Sequence, residues 1–264
     1  MSKKVPKKNN LRLAGIFIIL VAGLILMSLL LKLAFIVKDS KFDGVHKFNV
    51  VLRGTNQTEV VSFSPNPNSI SVLTLANAPY DVSKFLAVPI DGQIKVNGSV
   101  NSGNIASILL NSEFPLGNSV TGLTPIDLLR LFLLTKSVSS DSIYVRSINS
   151  GLSQTQISTL ISLTFTDPEI YRENQSIEVV NSTQVNGLGA RISSYINNIG
   201  GNVILVTSSS REEDKSKVEY SGQDTYTVDK LSSFFGIPKE QIERSGIADV
   251  IIIIGKDIAQ SGKY

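Results

Sequence analysis

Leu13 to Leu31, LAGIFIILVAGLILMSLLL, is nineteen residues long, and Ser28 is its only polar side chain. Wound as a helix, such a run has no polar face to turn to water. At 1.5 Å per residue it spans roughly 28 Å, close to the ~30 Å hydrocarbon thickness of a bilayer. The segment LKLAFIV extends it, with Lys32 placed to snorkel to the interface. Lys3, Lys4, Lys7, Lys8 and Arg12 precede it, which by the positive-inside rule leaves the N-terminus in the cytoplasm and the remainder outside. A cleaved leader would have a shorter apolar stretch, about 7–15 residues, ending in a small-x-small site. Here the run is longer and is followed by Lys32 and the bulky FIVKD, so a retained single-pass anchor is expected over residues 11–37, behind a basic tail of residues 1–10. PIDLLRLFLL is too short for a second span and holds Asp127 and Arg130.

The anchor also divides the charge. Residues 1–41 carry eight Lys/Arg against Asp39 alone, a net +7, whereas residues 42–264 hold 17 basic and 21 acidic side chains, a net −4. The basic isoelectric point therefore belongs to the tail, and nucleic acid, which needs clustered Lys/Arg on a folded face, is not an expected partner. There is no cysteine, which excludes disulfides, thiolate metal sites and cysteine nucleophiles. His46 is the only histidine, so a histidine metal cluster or a Ser-His-Asp triad is not expected. It reads as a polar residue between the anchor and the first strand.

Residues 42–150 alternate short apolar strands with turns. KFNVVL leads to Arg53-Gly54-Thr55, and EVVSFS and ISVLTL flank the turn SPNPNS, a hairpin signal. Thr124 fits the N-cap of a helix with Pro125 at its first position and Asp127 in its first turn. Ile126, Leu128, Leu129, Phe132 and Leu133 leave that helix few polar positions, so burial over most of its surface is expected. SIYVRSI follows as a strand. Residues 151–175, rich in Ser and Thr at their start, read as a linker in which ISTLISL can form a short helix.

From residue 176 to 259 the pattern is more regular. IEVVN is a strand, and Leu188, Ile192, Tyr195, Ile196 and Ile199 share one helix face that Gly200-Gly201 ends. NVILV is a second strand, VEY a third, and Thr227 is the expected cap of a helix carrying Val228, Leu231, Phe234 and Phe235. ADVIIIIG, fully apolar, reads as a central strand covered on both faces. The order β-α-β-β-α-β suggests a ferredoxin-like sandwich. Gly187 and Gly189 follow the first strand, but Ile192 replaces the third glycine of a dinucleotide fingerprint, which makes nucleotide binding a poor reading. Asn181, Thr183, Gly187 and Gly189 instead suit a turn and the tight start of a helix, with an anion at that helix N-terminus as the alternative use of the loop.

Two resemblances follow from these residues. Val180-Asn181-Ser182-Thr183, Val185-Asn186-Gly187-Leu188-Gly189 and Ala248-Asp249-Val250 through Gly255 resemble the signature of the LytR C-terminal domain. FNVVLRGTN with TEVVSFSPNPNSISVLTLANAPYD resembles the opening of the LytR–CpsA–Psr domain of bacterial envelope proteins. The second resemblance implies transfer of glycopolymers from polyprenyl-pyrophosphate carriers to peptidoglycan, with arginines and aspartates holding the pyrophosphate and its magnesium. The chain departs from that pattern. Asn56-Gln57-Thr58-Glu59 stands where Arg-Ser-Asp is expected, and Pro79-Tyr80-Asp81 where Pro-Arg-Asp is expected, which leaves Arg53, Glu59 and Asp81 as the charged groups near these turns. The fold expected is therefore α/β: one transmembrane helix, a reduced LytR–CpsA–Psr-like α/β domain, and the C-terminal sandwich.

These readings together imply an anchored envelope protein, more a binder than an enzyme, whose partners are the lipid bilayer and a wall glycan (peptidoglycan), a lipid-linked precursor or another envelope protein. The alternative is the glycopolymer transferase. Arg53, Asp81, Asn181, Thr183, Gly187 and Gly189 are the candidate ligand-binding residues. No catalytic residue and no metal ligand are assigned, and no cofactor is implied, apart from magnesium under the transferase alternative.

Overall fold

The structure is a computed structural model that describes residues 8–76, 78–112, 118–243 and 246–264. Of the basic tail, Lys3, Lys4 and Lys7 lie outside the described residues. Helix α1, Lys8–Asp39, contains the apolar run, and from Leu13 to Asp39 it is long and apolar enough to cross a membrane. Its described side chains from Leu13 onward are almost all exposed, as expected of a helix with no protein partner along its length.

The first module is built on a six-stranded sheet of order β5-β4-β1-β2-β3-β6. Strands β1 (Phe48–Arg53), β2 (Thr58–Ser64) and β3 (Ser69–Leu75) form the antiparallel meander that the SPNPNS turn foretold. Helix α2 (Val82–Leu86) and β4 (Gly92–Lys95) come next, β4 running parallel to β1. They are followed by α3 (Ile105–Asn111), the short β5 (Ser119–Thr121), α4 (Pro125–Ser137) and β6 (Ile143–Ile148), which lies parallel to β3. Side chains alternate across the sheet. Val50, Leu52, Val61, Phe63 and Val72 meet α3 and α4 on one face, while Val51, Val60 and Leu73 meet α2 on the other. A helix α5 (Gln154–Phe165) completes that second face with Ile161 and Phe165. The segment read as a linker thus holds α5 and a further helix α6 (Pro168–Glu173), whose Ile170 enters the core of the second module.

Helix α4 starts as its capping residues require. Thr124 accepts from the Asp127 amide at 3.2 Å, and Asp127 answers with a carboxylate that accepts from the Thr124 amide at 2.7 Å. The extent of burial differs from the expectation. Asp127, Leu128 and Leu131 are buried, whereas Leu129 and Leu133 are exposed, because only one side of the helix meets the sheet.

Asp127 also ties the anchor to the fold. Its Oδ1 accepts from Ser40 Oγ at 2.7 Å, the Lys41 amide at 3.0 Å and the Phe42 amide at 2.8 Å. Arg130, one turn on, donates to the Phe42 carbonyl at 2.6 Å. Burial alone would raise the Asp127 pKa, but the donors on Phe42, Thr124 and Ser40 outweigh it and hold the carboxyl below its ordinary value.

The second module has strands β7 (Ser176–Asn181), β8 (Asn202–Ser208), β9 (Lys217–Tyr220), β10 (Lys239–Gln241) and β11 (Val250–Ile254) in the order β10-β9-β11-β7-β8. Helices α7 (Leu188–Asn198) and α8 (Tyr226–Phe235), with α9 (Lys256–Ser261) at the end, pack on one face. This arrangement is not a ferredoxin-like sandwich. A split βαβ unit leaves a slot between the strands its helix joins. Here β7 and β8 are direct parallel neighbours, as are β9 and β10, so each crossover returns its strand beside the one it left. The fifth strand, β10, is Lys-Glu-Gln and carries no apolar pattern by which to find it. Strand β11 is central, as its composition implies, but it is not covered equally. Val250, Ile252 and Ile254 are buried under the helices, while Ile251 and Ile253 share a more open face with Val180 and Leu205. The cap of α8 is Thr225 rather than Thr227. Thr227 is buried and donates its amide to Glu173 at 2.8 Å.

Replacing Asp127 by alanine leaves the buried Phe42 and Thr124 amides without an acceptor, and the expected loss of stability is on the order of 3 kcal/mol. Chemical denaturation measures that loss, and limited proteolysis should show new cleavage at residues 40–42.

Candidate functional site

The candidate residues fall into two places. In the first module Arg53 ends β1 on the face that carries Val51. Its Nη2 donates to the Pro79 carbonyl at 3.1 Å and to the Tyr80 carbonyl, and its guanidinium lies 6.0 Å from the Tyr80 ring centroid. Asp81 is the N-cap of α2, where Oδ1 accepts from the Lys84 amide at 2.9 Å. The structure therefore brings Arg53 to the loop that holds Asp81, beside a small pocket of about 230 Å³ lined by Val51, Tyr80, Asp81, Ser83 and Gln93. Tyr80 itself is 96% exposed. Glu59 does not join them. It pairs in register with Leu52 and so points to the opposite face, buried, with Oε1 accepting from Gln57 at 2.9 Å. Burial pushes its carboxyl above the ordinary value, against that hydrogen bond.

In the second module Asn181 ends β7, and its side chain serves the loop that follows. Oδ1 accepts from Thr183 Oγ1 at 2.7 Å and Nδ2 donates to the Val185 carbonyl at 3.0 Å. Thr183 Oγ1 in turn accepts from the Val185 amide at 3.2 Å. Gly187 is the cap of α7 with φ +75°, a left-handed conformation that glycine adopts without strain. Gly189 lets the helix approach β8, since a Cβ there would stand 3.0 Å from Val206 Cγ1. The side chains of Asn181 and Thr183 are engaged by the loop itself, while the Ser182 amide donates to the Ile254 carbonyl and Gln184 to Glu212. The last element of the family signature is explained in the same way. A Cβ on Gly255 would lie 2.6 Å from the Lys215 carbonyl carbon and 2.9 Å from the Glu213 oxygen, where the charged loop crosses the strand ends.

The two places are not adjacent. Asn198, at the other end of α7 from Gly187, is what meets the first module, donating to the Leu86 and Ala87 carbonyls at 3.0 Å each. The glycine loop lies a helix length, roughly 16 Å, from that contact.

A third place, not among the candidates read from the sequence, is the cleft between the modules. It encloses about 470 Å³ and is lined by Lys41, His46, Lys47, Asp91, Tyr226 and Lys230, among others. His46 stacks on Tyr226 with centroids 4.0 Å apart and is paired with Asp43. Tyr226 donates to Asp167 at 2.9 Å. Lys47 donates to the Thr164 and Thr166 carbonyls at 2.8 and 2.9 Å. The one available signal was the clustering of Lys41, His46 and Lys47 just beyond the apolar run; Lys47 bonds Thr164 and Thr166, more than a hundred positions away, and His46 stacks on Tyr226. Among the described residues no group of three or more His, Asp or Glu side chains is placed to hold a metal ion.

Burial pushes the Lys47 ammonium down to about 8, against the attraction of Asp167 and with Arg146 adding repulsion. An unfolded lysine titrates near 10.5. Between those values the unfolded chain holds the extra proton, so this residue makes stability rise with pH across that window. Denaturation of wild type and Lys47→Met at pH values inside the window should give a more positive slope of stability against pH in the wild type, the buried tyrosines contributing equally to both. Gly255→Ala forces backbone apart, with an expected cost of about 2–3 kcal/mol. Gly187→Ala meets open space and is expected to cost about 1 kcal/mol through its positive φ alone. Thermal unfolding of the two variants should rank them in that order.

Residues 174–257 match the family model described as LytR cell envelope-related transcriptional attenuator. Solved structures similar to the chain include TagT from B. subtilis, at 12% identity over 85% of this chain and 91% of that one, with a TM-score of 0.20. Another is the putative transcriptional factor Lmo1026 from Listeria monocytogenes, at 10% identity over 82% and 94% of the two chains, with a TM-score of 0.19. Similarities of that size carry no weight beside the family match, and no curated protein matches the chain. The second module, from just before β7 to the start of α9, is thus a LytR C-terminal domain.

Proposed function

We propose that the chain is a membrane-anchored envelope protein whose modules lie outside the cytoplasm and bind a wall glycan, a lipid-linked precursor or another envelope protein. The observation that carries this reading is the joining of a LytR C-terminal domain to one apolar helix through a packed seam. The seam holds the domain close to the end of the anchor. Five basic residues before the anchor support a cytoplasmic N-terminus. The net charge of −4 beyond residue 41 supports a partner other than nucleic acid.

The second reading, a glycopolymer transferase, is favoured by the pocket beside Arg53 and Asp81. A diphosphate there would meet a guanidinium whose Nη2 already donates to the Pro79 and Tyr80 carbonyls, and a carboxylate, Asp81, that already caps α2. We therefore place the transferase second. Titration of the full chain in detergent with a polyprenyl-pyrophosphate analogue should give no magnesium-dependent heat, while purified wall sacculi should retain the protein. Magnesium-dependent heat that disappears in Arg53→Ala would reverse the order of the two readings.

A further inference from the structure

On α4 the buried side is Asp127, Leu128 and Leu131, and the opposite side is not polar. Leu129 and Leu133, one turn apart, are 46% and 56% exposed, and Leu110 of the neighbouring α3 is 41% exposed. At about 100° per residue, Arg130 and Lys136 stand roughly 60° to either side of Leu133. A leucine stripe flanked by basic side chains is the pattern of a helix lying in a bilayer interface, where the apolar strip enters the acyl boundary and the long cations reach back to the headgroups. An exposed apolar strip of this kind on a folded surface is otherwise a liability.

The position of the strip says what covers it. Asp127 in the first turn of α4 accepts from Ser40, the residue immediately after α1, and Arg130 donates to Ser40 Oγ at 3.2 Å and to the Phe42 carbonyl at 2.6 Å. The helix is therefore hydrogen-bonded to the residues that follow α1 and sits beside the outer end of the anchor. We infer that the Leu129–Leu133 face of α4, with Leu110, lies against the lipid surface beside α1 and sets the orientation of the first module on the membrane. This inference rests on the reading of α1 as an anchor.

The chain has no cysteine, so one introduced cysteine can carry a single fluorophore. The full chain is placed in vesicles of phosphatidylcholine and phosphatidylglycerol as Leu24→Cys, Leu133→Cys or Tyr144→Cys, and each label is quenched by doxyl lipid or by aqueous iodide. Leu24 lies within α1, and Tyr144 is exposed on β6, on the sheet face away from α4. The expected result is loss of emission to doxyl lipid at positions 24 and 133, shielding from iodide at both, and the reverse at 144. If position 24 is in lipid and 133 behaves like 144, the inference fails and the anchor stands. If 133 is shielded from both quenchers, protein rather than lipid covers the strip, which also overturns it. If position 24 is open to iodide, the anchor reading fails and takes the inference with it.

Discussion

One buried carboxylate determines how the first module meets the apolar helix α1. Asp127 accepts from the two amides that follow the anchor, from the hydroxyl of Ser40 and from the cap of its own helix. A buried charge with fewer donors would be a burden on the fold. With these donors it fixes the exit of the chain from α1, and Phe42 is then held in the first core against Phe48.

The seam between the modules works by a different chemistry. Its contacts include polar side chains meeting backbone carbonyls of the other module, as with Asn198 on Leu86 and Ala87 and Lys84 on Gly262. Aromatic stacking of His46 on Tyr226 adds a further contact. Such contacts fix a relative position without requiring a large apolar interface. The LytR C-terminal domain is consequently held by the first module and by the residues just after the anchor, rather than swinging on a linker.

Much of this was legible in the sequence, and the reasons differ by element. The apolar run, the β2–β3 hairpin and the cap of α4 each depend on neighbours within a few residues, so their signals are local. The apolar face of α7 repeats at helical spacing and was found complete. The sheet order of the second module was not legible, because strand pairing is decided by which slot a crossover returns to, and β10 has no apolar residue. The exposed side of α4 was missed for a related reason: leucines that face outward and leucines that face a core are the same letters. The Arg53–Asp81 neighbourhood could be suspected from the turns. The separation of Glu59 from it needed the register, which one residue's shift would invert. The inter-module cleft brings His46 to Tyr226, far away in sequence, and that pairing had no local signature.

The separation in sequence between the anchor's base and its acceptor has a consequence for synthesis. Phe42 and Asp127 are 85 positions apart. As the chain is made from its N-terminus, α1 is complete long before the carboxylate that fastens its outer end exists. Formation of α1 and folding of the module beyond it are therefore successive events. In the interval residues 40–42 are an open tether, and the polypeptide still to come can leave the ribosome without working against a rigid joint. The joint closes only when α4 forms, which makes it a record that the first five strands of the module have already been made.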